Sequence, residues 1–292
     1  MLAGLLLPLF LLAGLGALLA KSNRMSSKWQ AGLNELTAKL FIPALLFSGA
    51  YQNGIPASVS WQFLVAFFAP LFLLFIVAWG LGRDAPRALA ATYSNTVFVG
   101  IPVLSLAFGA DSLQYAFPII AFHGLAAFSL YYLAGATGAR LLSSLLNAVK
   151  NPIVSSLMLG LACKLLGVAL APAVIDVLAM LSAAALPCAL LALGASLVRF
   201  RVRSWPKTIL IVLAKLLLLP ACVYGLAALV FRLPAPATAV LVVIASCPVG
   251  VNAAALVQAD GKDPAQVSSA ILLSSLACMA TIPLWIWAVR VL

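Results

Sequence analysis

From its N-terminus the chain runs as long apolar stretches separated by short polar ones. Ten such stretches stand out, at 2–20, 31–52, 61–82, 87–108, 113–138, 152–170, 173–197, 206–230, 237–258 and 266–290. An α-helix needs about 20 apolar residues to cross the hydrocarbon core of a bilayer, and each stretch is near that length. None alternates residue by residue, as the roughly 10-residue strands of a membrane β-barrel do. The pattern predicts ten transmembrane helices. The longest polar stretches surround Lys21–Lys28, Arg140–Lys150 and Arg199–Lys207, and none is long enough for a soluble domain.

Composition agrees. Of 292 residues, 65% are hydrophobic and 8% are charged, and the mean hydropathy is +1.18. A soluble domain carries about 25% charged residues, and disorder needs low hydrophobicity, so both classes are excluded. The five cysteines lie inside apolar stretches without a Cys-x-x-Cys pair, which indicates neither a disulfide framework nor a metal site. Nothing calls for a cofactor. The first apolar stretch lacks a basic segment before it, the reverse of a cleavable signal peptide, and reads as the first membrane helix.

The net charge of +11 would suggest nucleic acid as a partner of a soluble protein. Here its distribution points to topology instead. With ten crossings, the odd-numbered connections share one side of the membrane. Twelve of the 17 Lys and Arg residues fall there, only Arg232 and Arg290 fall on the other side, and Lys39, Lys164 and Lys215 lie within helices. Positive residues collect on the cytoplasmic side, so both termini are expected outside a cytoplasmic (inner) membrane.

The two halves of the chain resemble each other. Pro70, Arg83 and Pro86 recur as Pro220, Arg232 and Pro236, and Ser94, Val97 and Val99 recur 152 residues later as Ser246, Val249 and Val251. Five helices per half is an odd number, so the second half enters from the opposite side. The expected fold is an all-α polytopic membrane protein of two inverted five-helix repeats, 1–140 and 151–292, joined by a short cytoplasmic linker at 141–150. Inverted repeats are a common plan of secondary transporters.

The fourth and ninth helices, which correspond in the two repeats, carry Gly/Pro interruptions at mid-depth: Thr92-Tyr-Ser-Asn-Thr-Val-Phe-Val-Gly-Ile-Pro102 and Ser246-Cys-Pro-Val-Gly-Val-Asn252. Pro removes a backbone donor and disrupts the preceding turn. Backbone groups freed in this way must face protein or a water-filled cavity, and half-helix N-termini near Gly100–Pro102 and Pro248–Gly250 would turn positive dipole ends toward an anion. Asn95, Thr96 and Asn252 add side-chain hydrogen-bonding groups at the same level.

These residues carry a resemblance. The stretch Ser94-Asn-Thr-Val-Phe-Val-Gly-Ile-Pro102 resembles the fourth-helix signature of the auxin efflux carrier family, and Pro248-Val-Gly, Asp263-Pro264 and Thr281-Ile-Pro283 resemble its last two helices. The resemblance covers essentially the whole chain. It implies broken, crossing helices 4 and 9, a scaffold that moves against the crossing domain, and substrate beside Asn95, Gly100, Pro102, Pro248 and Asn252. It also implies a small organic anion as cargo: plant members export the auxin anion, and bacterial members are associated with malate, malonate and similar anions. The long central cytoplasmic loop of plant members is missing here.

Isolated polar residues remain open between two readings. Lys215, about nine residues into the eighth helix, could attract an anionic substrate, hold the C-terminal carbonyls of a half-helix, or snorkel to the interface. His123, in the fifth helix, could accept a coupling proton or serve as hydrogen-bonded packing. Lys39 sits four residues after Glu35, an ordinary helix pair, and Lys164 fits snorkelling. Tyr93, Ser48 and Gln52 are weaker pocket candidates. Ala13–Gly16 suits either a homodimer contact or internal packing.

No Asp or Glu lies mid-helix. Buried carboxylates are the usual carrier groups of proton and sodium antiporters, so uniport of an anion is the simplest expectation. One charge crossing 100 mV is worth about 2.3 kcal/mol. The alternative is a sodium- or proton-coupled symporter of the bile-acid symporter type, with a carbonyl-built cation site. An intramembrane enzyme is not expected. There are no paired mid-membrane Asp residues for an aspartyl protease, no Gly-x-Ser-Gly for a serine protease, and a single His argues against zinc.

Overall fold

Inside hydrocarbon every backbone N–H and C=O must find an internal partner, and this chain meets the requirement with helix almost throughout. The computed structural model describes residues 2–56, 59–135 and 151–291. Among these residues there are twelve helices: α1 (Leu2–Lys21), α2 (27–53), α3 (Trp61–Gly80), α4 (Ala85–Thr92), α5 (Thr96–Phe108), α6 (Ala110–Ala134), α7 (Pro152–Leu165), α8 (Pro172–Leu197), α9 (Trp205–Val230), α10 (Ala235–Ser246), α11 (Asn252–Ala259) and α12 (Ala265–Val291). Five of them, α3, α6, α8, α9 and α12, are long and apolar enough to cross a membrane. Each expected apolar stretch contains helix among the described residues, and the fourth and ninth are each split in two, as α4–α5 and α10–α11. The expected linker at 141–150, with Arg140 and Lys150, lies outside the described residues.

Several prolines sit inside helical stretches without breaking them, Pro8, Pro70, Pro118, Pro187 and Pro283 within α-helix and three others just after a widened turn. Thr37–Phe41, Thr96–Gly100 and Ala214–Leu218 are wide π-helical turns, and each precedes a proline by two residues: Pro43, Pro102 and Pro220. A proline ring clashes with the carbonyl four residues back and cannot donate to it. A widened turn gives the ring room. In α9 the carbonyl deprived by Pro220 is that of Leu216, and the Trp285 indole N–H of α12 donates to it at 2.8 Å.

The chain divides into two compact units, each drawn from both sequence halves. The first holds α1, α2, α7, α8, most of α5 and the start of α6. In it α1 packs against α8 through small residues. A Cβ on Gly194 would collide with the Ala13 carbonyl, and one on Gly16 with the Leu191 carbonyl. Ala13–Gly16 therefore serves internal packing between α1 and α8. At the end of α2, Lys164 of α7 donates to the Gln52 carbonyl at 2.6 Å, so its ammonium caps a helix C-terminus, where the dipole favours a cation. Lys39 and Glu35 form the expected exposed pair at 2.6 Å.

The second unit holds α3, α4, the remainder of α6 and α9–α12. Its centre is α10, in which every residue from Ala237 to Ser246 is buried. A helix apolar on all sides belongs inside a protein or a membrane, and here protein surrounds it.

The α1–α8 seam makes a direct prediction. Gly194→Val should destabilise the protein by about 1–3 kcal/mol through overpacking. Gly14→Ala, at a position with open space beside it, should leave the thermal unfolding temperature in detergent unchanged.

Candidate functional site

Both helix breaks lie within the second unit, and local chemistry explains where each begins. Asp84 caps α4, accepting the Arg87 N–H at 3.0 Å. At the other end the Thr92 hydroxyl folds back onto the Ala88 carbonyl at 2.9 Å, competing with the next helical bond. Tyr93 is extended, with φ −81° and ψ 113°, and helix resumes at Thr96. In the ninth stretch Cys247 is extended, with φ −60° and ψ 149°. It precedes Pro248, and the residue before a proline is pushed out of the helical region. Helix resumes at Asn252.

The two extended segments pair. Ser94 and Val249 form an antiparallel bridge, in which the Asn95 N–H donates to the Pro248 carbonyl at 2.8 Å and the Gly250 N–H donates to the Tyr93 carbonyl at 3.0 Å. In such a pair the two central residues turn their own N–H groups outward. The neighbouring helices meet both. The Ser94 N–H donates to His123 Nε2 of α6 at 3.3 Å, and the Val249 N–H donates to the Ser274 hydroxyl of α12 at 3.0 Å. His123 and Ser274 stand 151 residues apart, close to the 152 that separate Ser94 from Ser246. Tyr93 stacks on His123, with ring centroids 5.0 Å apart, and Phe67 meets the same imidazole edge-on at 5.7 Å. Gly250 is required because a Cβ there would enter the Tyr93 ring.

The sequence-level candidates sort by place. Asn95 and Thr96 are 4% and 7% exposed and stand at the start of α5, Pro248 is buried in the bridge, and Asn252 is exposed at the first turn of α11 beside the Tyr93 hydroxyl. Gly100 and Pro102 lie four and six residues inside α5, not at a half-helix N-terminus. The π-helical turn absorbs the Pro102 ring, so the break falls earlier, in the polar run Tyr93–Asn95. Ser/Asn/Thr clusters prefer helix starts, which is the signal that marks this break in the sequence. The imidazole of His123 is engaged with backbone, and its accepting Nε2 carries no proton. Lys215 is fully buried and donates to the Ala245 carbonyl at 2.5 Å, which rules out snorkelling. Ser274 is a residue that sequence reasoning passed over. Its mark was the spacing from His123.

Removing the Ser274 hydroxyl strands the Val249 N–H in a dry interior. Ser274→Ala should cost about 1–3 kcal/mol and lower the unfolding temperature. Ser275→Ala, which removes a buried hydroxyl with no partner, should leave that temperature unchanged or higher.

Comparison with known proteins accords with this architecture. A family model described as "Membrane transport protein" matches residues 2–137 and 136–286. An "Uncharacterized transporter" of Methanothermobacter thermautotrophicus is 28% identical over 96% of this chain and 95% of its own length. A protein of Rhizobium meliloti named "Putative malonate transporter" is 25% identical over 98% of this chain and 95% of its own. Helices suited to a bilayer, paired helix breaks and these matches lead to one conclusion: the chain is an integral multi-pass membrane transporter, not an enzyme, and belongs to the Membrane transport protein family, that of the auxin efflux carriers.

Proposed function

We propose that this transporter is a secondary carrier that moves small organic anions, dicarboxylates foremost, across the cytoplasmic membrane by alternating access. In this reading ten spans form two inverted five-helix repeats, and the positive-residue asymmetry puts both termini outside. The observation that carries the reading is the backbone bridge between two broken helices. Discontinuous helices are where such carriers bind cargo, because half-helix N-termini favour anions. Here α5 starts at Thr96 and α11 at Asn252, each directly after the bridge.

Asn95, Thr96 and Asn252 are the proposed hydrogen-bond partners of the substrate carboxylates. The bridge residues Pro248 and Gly250 shape the site, and Gly100 and Pro102 belong to the half-helix that leads away from it. Lys215 contributes positive potential. The name of the Rhizobium relative supports malonate as the first substrate to try. His123 holds backbone in this reading and carries no coupling proton.

The test is uptake of radiolabelled malonate and malate into proteoliposomes under an inside-positive potassium-diffusion potential, without sodium and without a pH gradient. Potential-driven accumulation is the expected result. Accumulation that appears only on adding sodium or a pH gradient would replace uniport with coupling. Asn95→Ala and Asn252→Ala should each abolish uptake while the protein still inserts and elutes as a folded species. Undiminished flux from either variant would remove the crossover from the mechanism.

A further inference from the structure

The carbonyls at the end of α10 form a buried, electronegative terminus. The Val243 carbonyl accepts the Ser246 hydroxyl at 2.9 Å and the Cys247 thiol at 3.2 Å, and the Ile244 carbonyl accepts the Cys247 N–H at 3.3 Å. The Ala245 carbonyl takes the Lys215 ammonium, whose side chain is 0% exposed. Ion pairs among the described residues include Glu35–Lys39, Asp84–Arg87 and Asp260–Lys262, and none of these involves Lys215. The titratable groups that surround it are two thiols and an imidazole, Cys247, Cys278 and His123. An amine held in a dry interior opposite a helix C-terminus, with no carboxylate against it, is matched to a dipole and not to a counter-ion.

In discontinuous-helix carriers, half-helix C-termini and unwound carbonyls are where a coupling cation binds. We propose that the Lys215 ammonium is a tethered cation that permanently fills the cation site at the C-terminus of α10, so that the carrier works without binding sodium there. The site belongs to the chemical class of monovalent cations: an alkali ion or a small primary ammonium should take it when the tether is cut. The proposal rests on the carrier reading above. It is tested by stability rather than flux, so its failure and a wrong substrate panel are distinguishable.

The experiment compares thermal unfolding of the purified full-length protein in sodium chloride, choline chloride and choline chloride plus n-propylammonium, at constant ionic strength. The wild type should unfold at the same temperature in all three. Lys215→Ala should unfold at a lower temperature in choline and regain about 5 °C with sodium or n-propylammonium, as expected for a ligand near 100 times its Kd. Lys215→Met, which refills the volume without charge, should be destabilised and respond to neither. Sodium-dependent stabilisation of the wild type would overturn the proposal. So would a folded Lys215→Ala protein indifferent to both cations, or a Lys215→Met protein as stable as wild type. If Lys215→Ala does not fold in choline, recovery when it is prepared in sodium supports the proposal; failure in both media leaves the wild-type and Lys215→Met arms to decide it.

Discussion

The structure turns on one requirement: two helices stop in the middle of a dry interior, and the backbone groups they release must all be paired. A single unsatisfied amide in such a place costs about 1–3 kcal/mol by mutational measures, comparable to a large share of a domain's net stability. The two breaks solve this for each other. Two main-chain bonds join the extended segments, and the outward N–H groups find His123 and Ser274. The hydroxyl of Thr92, the thiol of Cys247 and the ammonium of Lys215 then close off the helix ends that face the gap.

Much of this was legible in the residue pattern. Apolar length located the helical stretches to within a few residues, because hydrocarbon thickness fixes helix length. The polar and Gly/Pro residues in the fourth and ninth stretches marked the two helices that stop short. The location of the first break was less visible. Proline looked like the breaker, yet Pro102 sits in a helix that widens to receive it, while the Thr92 hydroxyl folds back at the end of one helix and the next begins at Thr96. At the second break Pro248 acts as expected, because it follows an extended residue that could not have stayed helical. A proline in an apolar stretch need not break its helix: Pro102 follows a π-helical turn, Pro70, Pro118, Pro187 and Pro283 sit within α-helix, and Pro248 follows a break.

The division of labour between the two breaks was hidden for a different reason. Corresponding positions fill one role with different chemistry, since an imidazole at 123 and a hydroxyl at 274 each accept one N–H. Similarity of sequence could not match them, although spacing could. Lys215 shows the limit from the other side. Its depth was readable, but three roles competed for it, and only the position of the Ala245 carbonyl separates an interior cation from one that reaches for water.

The bridge is made of main-chain atoms, and this has a consequence for how such a protein changes over generations. Tyr93, Asn95, Pro248 and Gly250 hold the bridge through main-chain groups, whereas the side chains of Asn95, Thr96 and Asn252 stand beside it. The frame and the side chains beside it are therefore separable. If the proposed site is where cargo binds, replacing a polar side chain at the gap would change what is carried without redrawing the frame. One frame would then accommodate different cargoes through a handful of substitutions.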